Sequence, residues 1–141
     1  MRRLIAILLC AYAMHFAWEM AHGSLFAPMD RLPFWQATAW CARAAAWDVV
    51  ISIAAYLAAA LAVRRALWIH HSARWPYAIY FAVGLGITIA IERWAIAEDR
   101  WQYREAMQTI VGIGITPLLQ WVVIPAAILG IVRWIARKRD A

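Results

Sequence analysis

Hydrophobic residues collect into four long runs along the chain, and the short segments between them hold most of its charges. Each run approaches or exceeds the roughly 20 residues that an α-helix needs to cross a hydrocarbon layer about 30 Å thick. The pattern predicts membrane-spanning helices over about 4–21, 39–63, 76–95 and 108–132. We therefore expect an all-α membrane protein in which residues 1–141 form a single compact bundle of four transmembrane helices.

The composition agrees with this assignment. Hydrophobic residues make up 66% of the chain and charged residues only 16%, which excludes a soluble domain of this size. Arg2 and Arg3, followed by an apolar run, resemble the start of a secretory leader. The helical run continues past Ala13, so we expect this segment to remain as the first membrane helix.

Basic residues flank the predicted helices unevenly. Most of the fourteen lysines and arginines would lie on one side of a four-helix topology, together with both chain ends. They are Arg2, Arg3, Arg64, Arg65, Arg74, Arg133, Arg137, Lys138 and Arg139. The positive-inside rule then predicts cytoplasmic N- and C-termini in a bacterial-type inner membrane. This topology explains the net charge of +6, and the same cations would attract anionic lipid head groups. We therefore expect no nucleic-acid partner.

Three acidic residues interrupt the apolar runs: Glu19, Asp48 and Glu92. Each is about 16 residues from the cytoplasmic end of its predicted helix, which places all three roughly 24 Å from that boundary, in the outer leaflet. A charge in the hydrocarbon layer costs about 2.5–3.5 kcal/mol on insertion scales, so such residues indicate a functional site. The common depth predicts one polar pocket that opens to the outer face, although ion pairs with a purely structural role would produce the same pattern.

Helical spacing adds further side chains to this pocket. His15, Glu19 and His22 share one face of the first helix. Thr116 and Gln120 reach a similar depth on the fourth helix, where Thr109 and Gly112 would share their face. The remaining candidates are the deeply placed Trp18 and Trp47, which would form an apolar wall for a ligand.

The predicted fourth helix and the loop before it have two unusual features. The loop over 95–107 is dense in charges of both signs and in aromatic residues, so it could cover the pocket or contact a partner. Pro117 removes a helical hydrogen bond, and irregular backbone at membrane depth is tolerated where it lines a cavity. We therefore expect a kink or a short re-entrant turn near Pro117.

The spacing of His15 and Glu19 on the first helix, with acidic residues on later helices, resembles the sterol-isomerase-like EXPERA superfamily of small membrane proteins. The resemblance covers a few positions of this helix and the number of spans. It implies a cavity for a lipid-like substrate, lined by a histidine and a glutamate on one helix. Asp48 stands where a glutamate of the second helix would be expected, and the later motifs of the family are not matched.

Three functions fit these residues. In an acid–base enzyme, Glu19 and Asp48 would be the acid and the base and His15 a relay, and the substrate, small or lipid-like, would contact Glu92, Thr116, Gln120, Trp18 and Trp47. In a protein that binds or transports a metal cation, the ligands of a divalent metal would be His15, Glu19, His22, Asp48 and Glu92. In an accessory subunit, the polar layer would contact a membrane-protein partner or further copies of the chain. The sequence requires no cofactor, and it does not decide between an enzyme and the other two classes.

Overall fold

The four predicted helices are present in the computed structural model, which describes residues 2–27, 29–70 and 73–140. They are α1 (Arg2–His22), α2 (Phe34–Val63), α3 (Trp75–Ala97) and α4 (Ile115–Asp140). All four are long and apolar enough to cross a membrane. The class of protein, a helical bundle with four candidate membrane spans, is therefore confirmed.

The helices pack as a square in chain order. The main contacts join α1 to α2, α2 to α3, α3 to α4 and α4 back to α1. The two diagonal pairs, α1 with α3 and α2 with α4, consequently face each other across the interior. The α1–α2 and α3–α4 connections lie together at one end of the bundle, which we name the capped end. The α2–α3 connection lies at the opposite end, which we name the terminal end.

Two short sheets build the capped end. Strand β1 (Phe26–Ala27) follows α1 and pairs antiparallel with β2 (Gln102–Tyr103), which follows α3. Strands β3 (Thr109–Ile110) and β4 (Ile113–Gly114) then form a hairpin immediately before α4. We name residues 98–114 the cap segment.

The hairpin corrects the predicted start of the fourth helix, which lies at Ile115 and not near residue 108. Val111 and Gly112 both have positive φ, of 52° and 77°, as the two central residues of a type I′ hairpin turn require. Thr109 and Gly112 therefore do not lie on α4. Pro117 is the third residue of the helix, where the backbone N–H has no helical partner in any case. The expected kink at Pro117 is thus replaced by a helix start.

Apolar packing fills the half of the bundle next to the terminal end. Ala55 and Ala59 of α2 are fully buried and have no long side chains, so neighbouring groups pack closely against them. Their cluster, which we name the apolar layer, consists of Ala55, Ala59, Trp68, Ile69, Tyr80 and Leu129. The polar side chains of the interior lie mainly on the other side of this layer, towards the capped end.

Candidate functional site

The centre of the bundle contains a hydrogen-bonded group of three polar side chains, which we name the central cluster: His15, Asp48 and Gln120. The Gln120 amide donates to Asp48 Oδ2 at 2.8 Å and lies 3.1 Å from His15 Nδ1. Because Asp48 is on α2 and Gln120 on α4, this bond joins two diagonal helices across the interior. His15 is 0% exposed and Gln120 is 3% exposed, whereas the Asp48 side chain is 14% exposed, so the cluster is buried except at Asp48.

The hydrogen bonds of Gln120 fix the tautomer of His15. An amide NH₂ group has two N–H bonds, so Gln120 can donate to Asp48 and to His15 together. With the amide oriented in this way, Nδ1 of His15 accepts and the ring proton is on Nε2. Asp48 Oδ2 is 3.6 Å from Nδ1, so a second proton on the ring would place an imidazolium beside a carboxylate. The charged form of His15 therefore requires the Gln120 amide to move aside, because its N–H bond would otherwise face the new N–H bond of Nδ1.

An aromatic ring supports the central cluster from α4. Trp121 is 1% exposed, and its ring lies 6.1 Å from that of His15, centroid to centroid. On α3, the Cα of Gly84 faces the Trp121 ring so closely that any β-carbon at this position would overlap two ring carbons. Gly84 is thus required here for close approach, because only glycine leaves space for the ring.

A second polar group, the cap cluster, joins α3 to the cap segment. Glu92 of α3 lies nearer the capped end than the central cluster. It accepts a hydrogen bond from Trp101 Nε1 at 3.2 Å and another from the Tyr103 hydroxyl. Burial, and then this hydrogen bond to Glu92, raise the pKa of Tyr103 well above its usual range. The β1–β2 pairing positions Tyr103, whose ring packs against Phe26 with centroids 5.5 Å apart.

Glu19 and His22 lie between the two clusters. Glu19 Oε2 is 3.5 Å from His22 Nε2, and its carboxylate is close enough to Asp48 and to Glu92 to interact electrostatically with both. The His22 ring contacts Phe26 of β1 at 5.3 Å between centroids. One continuous polar region therefore extends from Asp48 to the cap segment.

Several buried polar atoms of this region have no hydrogen-bond partner in the part of the chain that the structure describes. Three of them are nitrogens on one side of α1, and two are hydroxyls on α2 and α3. They are His15 Nε2, Trp18 Nε1, His22 Nδ1, Ser52 Oγ and Thr88 Oγ1. A buried polar group without a partner costs about 1–3 kcal/mol, so each of these atoms marks a place where a water molecule or a ligand would gain a hydrogen bond.

The structure brings together most of the residues that the sequence predicts for the pocket. Seven of them lie in or beside the polar region: His15, Trp18, Glu19, His22, Asp48, Glu92 and Gln120. Two do not join it. Trp47 is 64% exposed on the outside of the bundle, and the Thr116 hydroxyl instead contacts Met107 Sδ of the cap segment at 3.4 Å.

Sequence reasoning does not find the two residues that hold Glu92. Nothing in the spacing of Trp101 and Tyr103 relates them to a carboxylate on α3. The density of aromatic residues in this loop is the one signal that the sequence offers.

Two further features bear on what the site could hold. Among the described residues, no three of the histidine, cysteine, aspartate and glutamate side chains are grouped as metal ligands would be. A cleft of about 150 Å³ lies far from the polar region, at the terminal end, where Arg65, Trp68 and Trp75 line it.

The fold and the site together define a class: an α-helical bundle with four candidate membrane spans and a buried region of carboxylates and imidazoles in one half of the bundle. Comparison with protein-family models, with curated proteins and with solved structures gives no match to this chain. The resemblance to the EXPERA superfamily is therefore not supported by a family model.

Proposed function

We propose that this protein binds a small or lipid-like molecule in the capped half of the bundle and performs acid–base chemistry on it. The observation that carries the proposal is the environment of His15. Its Nδ1 side is held by Gln120 and faces Asp48, while Nε2 is buried without a partner among the described residues. An imidazole oriented through one nitrogen, with the N–H group of the other nitrogen unused, is arranged to act as a general acid.

The neighbouring side chains have separate roles in this proposal. A proton taken up at Nδ1 of His15, as the Gln120 amide moves aside, gives an imidazolium, which the carboxylate of Asp48 stabilises from 3.6 Å. The protonated ring can then donate from Nε2 to a bound molecule. Gln120 positions the ring, and Glu19 with His22 forms a second imidazole–carboxylate pair that can exchange a proton on the same face of α1.

The distribution of polar groups favours entry from one side. The apolar layer closes the half of the bundle next to the terminal end, so the polar region does not continue across the membrane. This supports binding and chemistry at one face more than conduction through the bundle. With the termini cytoplasmic, as the basic residues predict, the capped end is at the outer face and a lipid-like molecule enters from the outer leaflet.

Proton exchange on membrane lipids tests this proposal for every lipid that the membrane contains, so the assay does not depend on choosing one substrate. The purified protein in nanodiscs is incubated in D₂O with a total lipid extract of the membrane that contains it, and deuterium in carbon-bound positions is measured by mass spectrometry. We expect at least one lipid species to gain deuterium with the wild-type protein, and the rate to fall by about 100-fold or more with His15→Phe or Asp48→Asn.

A matched variant separates chemistry from folding. Trp47→Phe changes an exposed residue next to Asp48 in the sequence, so it is expected to exchange deuterium at the wild-type rate. Equal exchange by the wild-type protein and by folded His15→Phe, or no exchange above protein-free nanodiscs, would show the acid–base proposal to be wrong.

A further inference from the structure

Two buried N–H groups on one side of α1 define what a bound molecule must offer. His15 Nε2 and Trp18 Nε1 both lack a hydrogen-bond partner within the described part of the chain. The two residues are three positions apart, so their side chains are neighbours on the helix surface. An indole nitrogen can only donate, and His15 Nε2 carries the ring proton because Nδ1 faces the Gln120 amide. The unsatisfied pair therefore consists of two donors.

Two carboxylates of the region already accept hydrogen bonds from the protein itself. Asp48 accepts from Gln120, and Glu92 accepts from Trp101 and Tyr103. Glu19 faces His22 at 3.5 Å. A bound ammonium group beside His15 and Trp18 would turn its own N–H bonds towards the two N–H bonds of α1.

The same carboxylates also disfavour an anion. Asp48 lies 3.6 Å from His15 Nδ1, so a phosphate or a carboxylate placed beside this ring would be repelled whenever the Asp48 side chain is ionised. The occupant that satisfies two donors without adding charge is an uncharged oxygen with two lone pairs.

We propose, resting on the binding function above, that the ligand is an uncharged, largely apolar carbonyl compound whose carbonyl oxygen accepts hydrogen bonds from His15 Nε2 and Trp18 Nε1. A carbonyl oxygen has the two acceptor positions that the two donors need. His15 and Trp18 then recognise the carbonyl group. The rest of the molecule lies among the aromatic side chains that contact them, Trp121 beside His15 and His22 beside Trp18.

The test uses a long-chain methyl ketone labelled with ¹³C at the carbonyl, titrated into nanodiscs that contain the protein. Binding is followed by the ¹³C chemical shift of the carbonyl, which moves downfield when the oxygen accepts a hydrogen bond. Trp18→Phe keeps an aromatic ring, although a smaller one, and removes the N–H donor. We expect it to weaken the ketone about two- to tenfold, the value of one hydrogen bond, whereas Trp47→Phe on the exposed face leaves binding unchanged.

A primary amine and a carboxylic acid of the same chain length complete the experiment. We expect both to bind more weakly than the ketone. Equal ketone affinity in Trp18→Phe and the wild type, or tighter binding of the amine, would overturn the carbonyl assignment while leaving an acid–base site intact. Failure of the deuterium exchange in the wild-type protein would instead remove the function on which the assignment rests.

Discussion

Replacing Gly84 by alanine should destabilise the bundle and disturb His15 at the same time, although the change adds only one methyl group. Gly84 of α3 lies against the ring of Trp121, and Trp121 lies beside His15. Trp121 is 1% exposed, so its ring cannot move aside into the surroundings of the bundle. A methyl group at position 84 must push the ring, the helix or both.

The magnitude follows from comparison with a second glycine on the same helix. A β-carbon at Gly86 would meet no atom within 4 Å, so Gly86→Ala tests the change in helix propensity alone. That change stabilises a helix by about 1 kcal/mol in water, and it cancels when the two variants are compared. Overpacking of a filled interior costs about 1–3 kcal/mol, so Gly84→Ala should be less stable than Gly86→Ala by about that amount.

Thermal unfolding in detergent measures this difference, with tryptophan fluorescence as a second readout. The emission of the buried Trp121 should change in Gly84→Ala and remain as in the wild type in Gly86→Ala. Equal melting temperatures and spectra for the two variants would refute the argument, because they would show that the Trp121 ring does not fill the space beside Gly84.

Three further outcomes test the hydrogen bonds of the polar region. Gln120→Leu leaves Asp48 without its donor, so the free energy of unfolding, measured by denaturant titration, should fall by about 1–3 kcal/mol. Glu92→Leu releases the cap segment, which should speed its amide hydrogen exchange; the exposed Glu98→Leu should not. The pKa of Tyr103 is raised by burial and by Glu92, so the folded state retains a proton that the unfolded state loses above about pH 10. The free energy of unfolding should therefore fall as the pH rises above about 10. The melting temperature should fall less over this pH range in Tyr103→Phe than in the wild type.

The helices could be predicted because membrane insertion depends on two quantities that a sequence states directly, length and mean hydropathy. The start of α4 could not be found in this way. Residues 109–116 are apolar whether they form a strand or a helix, so hydropathy does not separate the two. Their β-branched residues and Gly112 are the signals of a hairpin. A prediction from hydropathy passes over these signals, and the predicted helix is seven residues too long at this end.

Residues of the candidate site could be predicted where the geometry of a single helix determines which side chains share a face. The spacing of His15, Glu19 and His22 places them on one face of α1 in any bundle. Asp48 and Trp47 show the limit of this reasoning, because adjacent residues on a helix point about 100° apart. When Asp48 turns inward to Gln120, Trp47 necessarily turns towards the outside, where it is 64% exposed. The hydrogen-bond partners of Glu92 depend on how the α1–α2 and α3–α4 connections pair at the capped end. The periodicity of residues within α3 gives no information about this pairing.

The central cluster also explains why small residues occur where they do on the two middle helices. Asp48 has a short side chain, yet its carboxylate meets a side chain of the diagonal helix at 2.8 Å. This requires α2 to lie close to the bundle axis, and the fully buried Ala45, one turn before Asp48, leaves its neighbours space to pack. Gly84 has the same role on α3 for Trp121. Small residues thus lie next to the buried polar cluster and give its side chains and the Trp121 ring space to pack. The site is recognised in the sequence only when the small residues and the polar residues are considered together.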